Sequence, residues 1–156
     1  SDALGTPCRL VHMADETERP VDPDFAMTPA RVSFADGFPF LLISEASLAD
    51  LNSRLDAPVT MARFRPNIVV TGADAFEEDS WREIRIGDLH FDVVKPCARC
   101  VMTTVEPTTG VTGKEPMRTL ATYRNVDGAV LFGQNIIHRG QGTLSLEQPV
   151  EILKTA

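Results

Sequence analysis

The stretch "WREIRIGDLHFDVVK" (81–95) sets two arms with Ile84 and Ile86 before, and Leu89, Phe91 and Val93 after, a central Gly87-Asp88. This is the strongest short-range hairpin signal in the chain, because glycine supplies the backbone that a tight turn between strands needs. The second arm runs directly into "KPCARC" (95–100), which places Cys97 and Cys100 at a strand end.

Working outward, "RFRPNIVVTG" (63–72) predicts another strand. Pro66 disfavours a helical conformation for the residue before it, so Arg65 is expected to be extended, with Arg63, Arg65 and Asn67 on one face. "RVSFADGFPFLLI" (31–43) reads as strand, turn at Asp36-Gly37, and buried strand. The segment "SEASLADLNSRL" (44–55) carries a helix signature: Ser44 as N-cap, Glu45 in the positive first turn, and Leu48, Leu51 and Leu55 at helical spacing before Pro58. At the start, "CRLVHM" (8–13) reads as a short strand and the Asp-, Glu- and Pro-containing segment 15–29 as an exposed loop.

Downstream of the cysteines, "VMTTV" (101–105) reads as a strand and "EPTTGVTGKE" (106–115) as turns. A helix follows from Pro116 through Leu120 and Tyr123, then strands over "AVLFGQNII" (129–137), "TLSL" (143–146) and "VEIL" (150–153). Many short strands with few helices predict a mainly β fold with a few helices (α+β). The expected form is a mixed, mostly antiparallel β-barrel instead of a doubly wound parallel sheet.

The chain's 156 residues fit a single domain, which buries roughly 70% of its unfolded surface. A net charge of −7 argues against binding a nucleic-acid backbone, which rests on clustered Lys and Arg. The longest apolar runs, such as "FPFLLI" (38–43), are far shorter than a membrane span. Three cysteines are too few and odd in number for a disulfide framework, so a reducing compartment such as the cytoplasm is expected. The chain opens on Ser1 without methionine, and sequence upstream is expected to have been removed or left out. No Gly-rich phosphate loop of a nucleotide-binding type is present in the sequence.

Cys97 and Cys100 admit several readings. A zinc centre would have to be completed from Cys8, His12, His90 and His138, which lack ligand spacing. A thioredoxin-like dithiol needs its first cysteine at a helix N-terminus, whereas a strand is expected after this motif. Both thiols could be small buried hydrophobes, the reading preferred for Cys97. For Cys100, Arg99 and Lys95 offer a cationic setting that favours thiolate, which suggests a single-cysteine metal site. Arg65 and Asn67 together offer a forked donor beside an amide, as phosphate recognition requires, although strand arginines are commonly solvated surface. The three histidines have no nucleophile or carboxylate partner in sequence and read as packing or surface.

"RFRPNIVVTGADAFEEDSWREIRIGD", then "KPCARCVMTTVEPTTG", "KEPMRTLATYR" and "LFGQN", resemble in order and spacing the MOSC domain (molybdenum cofactor sulfurase C-terminal). The branch they resemble is that of the mitochondrial amidoxime-reducing component and bacterial proteins that detoxify N-hydroxylated bases. The likeness runs from about Cys8 to Leu153.

The resemblance implies a molybdenum cofactor, a pterin whose dithiolene holds the metal and whose phosphate the protein grips. It assigns the metal ligand and catalytic sulfur to Cys100 and cofactor contacts to Arg65, Asn67 and Arg99, with Gly37 and Phe38 in the turn before the buried strand. It also implies an enzyme that, at full length, reduces hydroxylamines, amidoximes and N-hydroxylated bases, with electrons from a separate donor protein or iron–sulfur domain. The alternative is a non-catalytic module carrying the cofactor or a sulfur species. On either reading the resemblance implies that residues 1–156 are one MOSC domain excerpted from a longer chain, without the N-terminal MOSC-associated region, and no cofactor is expected bound in the fragment. Two departures stand out. Asn135 occupies a position after "FGQ" that is often tyrosine in the mitochondrial branch, and the chain has no plant-type cysteine cluster for an iron–sulfur centre.

Overall fold

The hairpin centred on Gly87-Asp88 is the spine of the structure, a computed structural model that describes residues 5–26 and 30–156. Its arms, β3 (Trp81–Ile86) and β4 (Leu89–Ala98), pair antiparallel with Ile84 opposite Phe91 and Ile86 opposite Leu89. Alternation buries Ile84, Ile86, Phe91 and Val93 on one face, and a register shift between Trp81 and Ile84 lets Trp81 join the same cluster.

Around it lie β1 (Phe40–Ser44), β2 (Ile68–Val70), β5 (Asn125–Val126), β6 (Ala129–Arg139) and β7 (Val150–Thr155). They form one seven-stranded sheet in the order β2-β1-β6-β4-β3-β7, with β5 on β6. The β1–β2 pair is parallel and the other pairs are antiparallel. The sheet curls into a half-barrel, an α+β and mostly β fold as the sequence predicts.

The helix α1 (Glu45–Ser53) starts where expected: the Ser44 hydroxyl accepts from the Ser47 amide. Leu51 is buried with Ile43, Phe64, Leu120, Val130 and Phe132, and Leu48 and Leu55 pack against that cluster. Glu78 is fully buried beneath the helix start, its Oε1 accepting from the Ser44 amide and the Ser47 hydroxyl. Close approach of β6 to β1 requires Gly133, at φ +81°, where a Cβ would lie 2.6 Å from the Ile43 side chain.

Several expectations are overturned. Segment 8–13 is no strand: it has no ladder partner, and Leu10 and Val11 are exposed. The first half of 31–43 forms only an isolated bridge at Arg31. The carbonyls of Ser33, Ala35 and Asp36 accept instead from the Arg19 guanidinium, at 2.5 to 2.7 Å. Arg19 comes from the expected exposed loop, which also buries Val21 in a small cluster with Val32 and Ile137; residues 27–29 of that loop lie outside the described residues.

"VMTTV" makes a 3-10 turn, Val101–Thr104. The hydroxyls of Thr103 and Thr104 donate back to the carbonyls of Cys100 and Val101, a local competition that disfavours extension. The helix expected through Tyr123 is α2 (Met117–Leu120), continued by turn bonds from Thr122 to Thr119 and from Tyr123 to Leu120. "TLSL" is irregular, its Ser145 amide held by the Gln148 carboxamide, which also packs over Gly87.

Candidate functional site

Two segments supply most of the candidate residues. The first, 61–67, departs most from expectation. A 3-10 turn, Met61–Arg63, carries the chain to Phe64, which is buried with its ring 4.3 Å from that of Phe132. Arg65 then takes φ +55°, a left-handed conformation that costs a non-glycine residue on the order of 1–2 kcal/mol. Arg63, Arg65 and Asn67 therefore do not share the face of one strand. Pro66 keeps Arg65 out of the right-handed helical region, and the buried Phe64 on one side and the Asn67 clamp on the other enforce the remaining choice.

That clamp is reciprocal: the Leu41 amide donates to Asn67 Oδ1 and the Asn67 amide to the Leu41 carbonyl, each at 2.9 Å. Neither Asn67 Nδ2, with its two donors, nor the exposed Arg65 guanidinium has a partner among the described residues.

The second segment is the end of β4 and the turn after it. Register shifts against β6 between Val93 and Lys95 and between Pro96 and Ala98 loosen this end of the strand. The Arg99 amide still reaches the Val130 carbonyl at 2.7 Å. The Arg99 guanidinium donates through Nη2 to the Phe64 carbonyl at 2.8 Å and through Nη1 to Cys97 Sγ at 3.1 Å, while its Nε is buried without a partner among the described residues. The Phe64–Arg99 bond thus joins the two segments, and Arg65 and Cys100 are the immediate neighbours of its two ends.

The thiols differ, and neither is a buried packing group. Cys97 is half-buried and engaged by Arg99, whereas Cys100 is exposed, its sulfur without a hydrogen-bond partner among the described residues. Cys100 is the N-cap residue of the Val101–Thr104 turn, and its carbonyl accepts from both the amide and the hydroxyl of Thr103, at 3.2 and 3.1 Å. Cys8 is exposed, and among the described residues no three of His, Cys, Asp and Glu gather to hold an ion, so a zinc centre lacks its ligand set. His90 pairs with the Glu83 carboxylate across the hairpin, a partner that the sequence reading had not given it, and His138 packs edge-on against Phe40.

Of the turn residues, Gly37 is exposed with open space at its Cβ position. Phe38 packs against the cluster of Val21, Val32 and Ile137 and meets Phe25 edge-on at 5.9 Å. The Lys95 ammonium lies 4.6 Å from the same Phe25 ring, which relates this turn to β4. Lys95, expected as part of the cationic setting of Cys100, is thus engaged with the Phe25 ring. Arg19 is the cation that the sequence reading did not single out, and nothing local marks it.

A groove of about 670 Å³ lies elsewhere, between the end of α1 and the 104–119 loop, lined by Arg54, Arg63, Glu106, Lys114 and Arg118 among others. It contains none of the candidate residues and no sulfur donor, so the chemistry points to the Cys100 corner. At that corner Cys100, a soft sulfur donor, directly follows Arg99, and Arg65 directly follows Phe64, whose carbonyl Arg99 holds, so two linked segments carry a thiol, two guanidinium groups and the Asn67 carboxamide. That set suits a soft metal carried on an anionic group.

Comparison with known proteins gives a match to the MOSC domain over residues 29–151. The chain is 44% identical over 160 residues to human mitochondrial amidoxime-reducing component 1, covering 94% of this chain and 47% of that protein. The mouse protein of the same name is 42% identical over 159 residues, covering 94% of the chain and 46% of the relative. Human mitochondrial amidoxime reducing component 2 is 50% identical over 98 residues, covering 62% of the chain and 29% of the relative. The chain therefore spans about half the length, or less, of the curated relatives it matches.

Proposed function

Since the chain belongs to the MOSC domain family, we propose that it is the molybdenum-cofactor-binding part of an oxidoreductase that reduces N-hydroxylated compounds. The observation that carries this reading is the exposed sulfur of Cys100, without a partner among the described residues, next to Arg99, whose guanidinium ties it to the segment bearing Arg65. When bound, the cofactor supplies the two-electron redox chemistry that cleaves the N–O bond.

The chain's residues would do the rest. Cys100 provides the sulfur ligand, held by the turn that Thr103 closes on its carbonyl. Arg65, Asn67 Nδ2 and the remaining Arg99 donors neutralise and orient the anionic end of the pterin, with a guanidinium fork suited to phosphate oxygens. Gly37 leaves room for close approach, and Phe38 anchors the turn beside it. Replacing N–OH by N–H consumes two electrons and two protons and releases water. The electrons come from a separate donor protein or iron–sulfur domain, and the substrate class is small hydroxylamines, amidoximes and N-hydroxylated bases.

The test is the full-length protein made in a host that produces the cofactor, assayed for molybdenum, pterin and hydroxylamine reduction beside its Cys100→Ala and Cys97→Ala variants. Cys100→Ala is expected to lose reduction and most molybdenum while retaining part of the pterin. Cys97→Ala is expected to keep turnover, with a stability loss of about 1 kcal/mol. Normal turnover in Cys100→Ala defeats the reading. Stoichiometric cofactor without reduction of any N-hydroxylated substrate favours the carrier module.

A further inference from the structure

The clasp between the two segments runs in both directions. Arg99 reaches from the cysteine segment to the Phe64 carbonyl. Arg63 reaches the other way: its Nη2 donates to Glu106 Oε2 at 2.5 Å and its Nη1 to the Thr103 carbonyl at 3.4 Å. Thr103 is the residue whose amide and hydroxyl both close on the Cys100 carbonyl, and it is only 2% exposed. Glu106 is itself fixed in the following turn, its amide donating to Val111 and its carbonyl accepting from Gly110, each at 2.8 Å.

We propose that Arg63 is a positioning residue for Cys100, holding through Thr103 and Glu106 the C-terminal side of the turn whose N-cap is Cys100, while Thr103 in turn holds the Cys100 carbonyl. The inference rests on the reading that Cys100 is the sulfur donor. It goes beyond that reading because Arg63 contacts neither the sulfur nor any candidate cofactor residue. A carboxylate that is itself anchored sets the guanidinium, and the planar fork then spans to a backbone carbonyl, which an ammonium could not do while keeping both contacts. The Arg63 side chain is 12% exposed and Glu106 35%, so the pair is partly screened; a pair at such a rim is worth little as bulk stability. Its consequence is therefore expected in the aim of the sulfur more than in the melting temperature.

The experiment uses the full-length protein and its Arg63→Met, Arg63→Lys and Glu106→Gln variants. In cofactor-free protein, the rate at which iodoacetamide alkylates Cys100 is read by peptide mass, with Cys97 as the internal reference. In cofactor-loaded protein, kcat and KM are separated, and melting temperatures are taken throughout. Arg63→Met is expected to speed Cys100 alkylation severalfold with Cys97 unchanged, and to lower kcat roughly 10- to 100-fold at constant KM. Glu106→Gln should move both readouts the same way by less. Arg63→Lys should recover the melting temperature but neither readout.

Wild-type Cys100 alkylation in both Arg63→Met and Glu106→Gln overturns the proposal. So does full rescue by lysine, or a parallel rise at Cys97, either of which would reduce Arg63 to an ordinary ion pair. If Cys100→Ala proves active, the functional reading falls while the alkylation arm still decides whether Arg63 holds the turn.

Discussion

The hairpin and the Cys100 corner are held by different forces. In β3 and β4 a regular ladder satisfies the backbone and buried apolar side chains supply the stability, with Ile84 wholly buried and Phe91 1% exposed. At the corner the backbone is irregular, and side chains take over the work of a ladder. Asn67 pairs with Leu41, Arg99 with Phe64, Arg63 with Thr103, and Thr103 with Cys100. The hairpin is over-determined by packing, whereas the corner keeps exposed donors at Arg65 and an exposed thiol at Cys100 on a scaffold that fixes their backbone. The packed core residues and the candidate site residues are thus different residues, which makes their effects separable by mutation.

The largest expected effect breaks that contrast at the hairpin. Phe91→Ala empties a core position and should cost about 3–5 kcal/mol in denaturant unfolding. Arg65→Ala, by comparison, should leave unfolding free energy within about 0.5 kcal/mol of the parent while lowering pterin retention in the full-length protein. A comparable stability loss in both would refute the division of labour.

A smaller effect is expected at the corner's own scaffold. Thr103→Val keeps the buried volume but removes the hydroxyl that closes on the Cys100 carbonyl, and should cost about 1 kcal/mol. Because the Thr103 amide bond to the same carbonyl persists, molybdenum retention should fall only in part. Loss as complete as in Cys100→Ala would mean that the hydroxyl, not the turn, does the positioning.

The smallest effect belongs to a pair outside both regions. Asp50 bonds the Arg54 guanidinium one helical turn on, and that hydrogen bond holds its carboxyl below the usual aspartate value. A lowered carboxylate pKa gives stability that is complete above the ordinary value and is lost as pH falls through the lowered one. Asp50→Asn should therefore cost roughly 0.5 kcal/mol near neutrality, and its stability should converge with the parent's in acid. A gap that persists below the titration would assign the effect to packing and not to charge.

What the sequence determined by itself was whatever is decided within a few residues. Gly87-Asp88 announced the hairpin, Ser44 and the leucine spacing announced α1, and the count of short strands announced a mostly β, α+β sheet. The cysteine and arginine motifs also marked the family. Tertiary structure alone decided the left-handed backbone of Arg65, the use of Arg19 to hold the turn before β1, and the pairing of Arg99 with both Phe64 and Cys97. The physical reason is distance along the chain. Capping and alternation satisfy groups near in sequence, but the carbonyl of Phe64 finds its donor 35 residues away and the carbonyl of Thr103 finds its donor 40 away. No local pattern encodes which distant guanidinium arrives, so the candidate residues were legible one by one and the clasp that joins them was not.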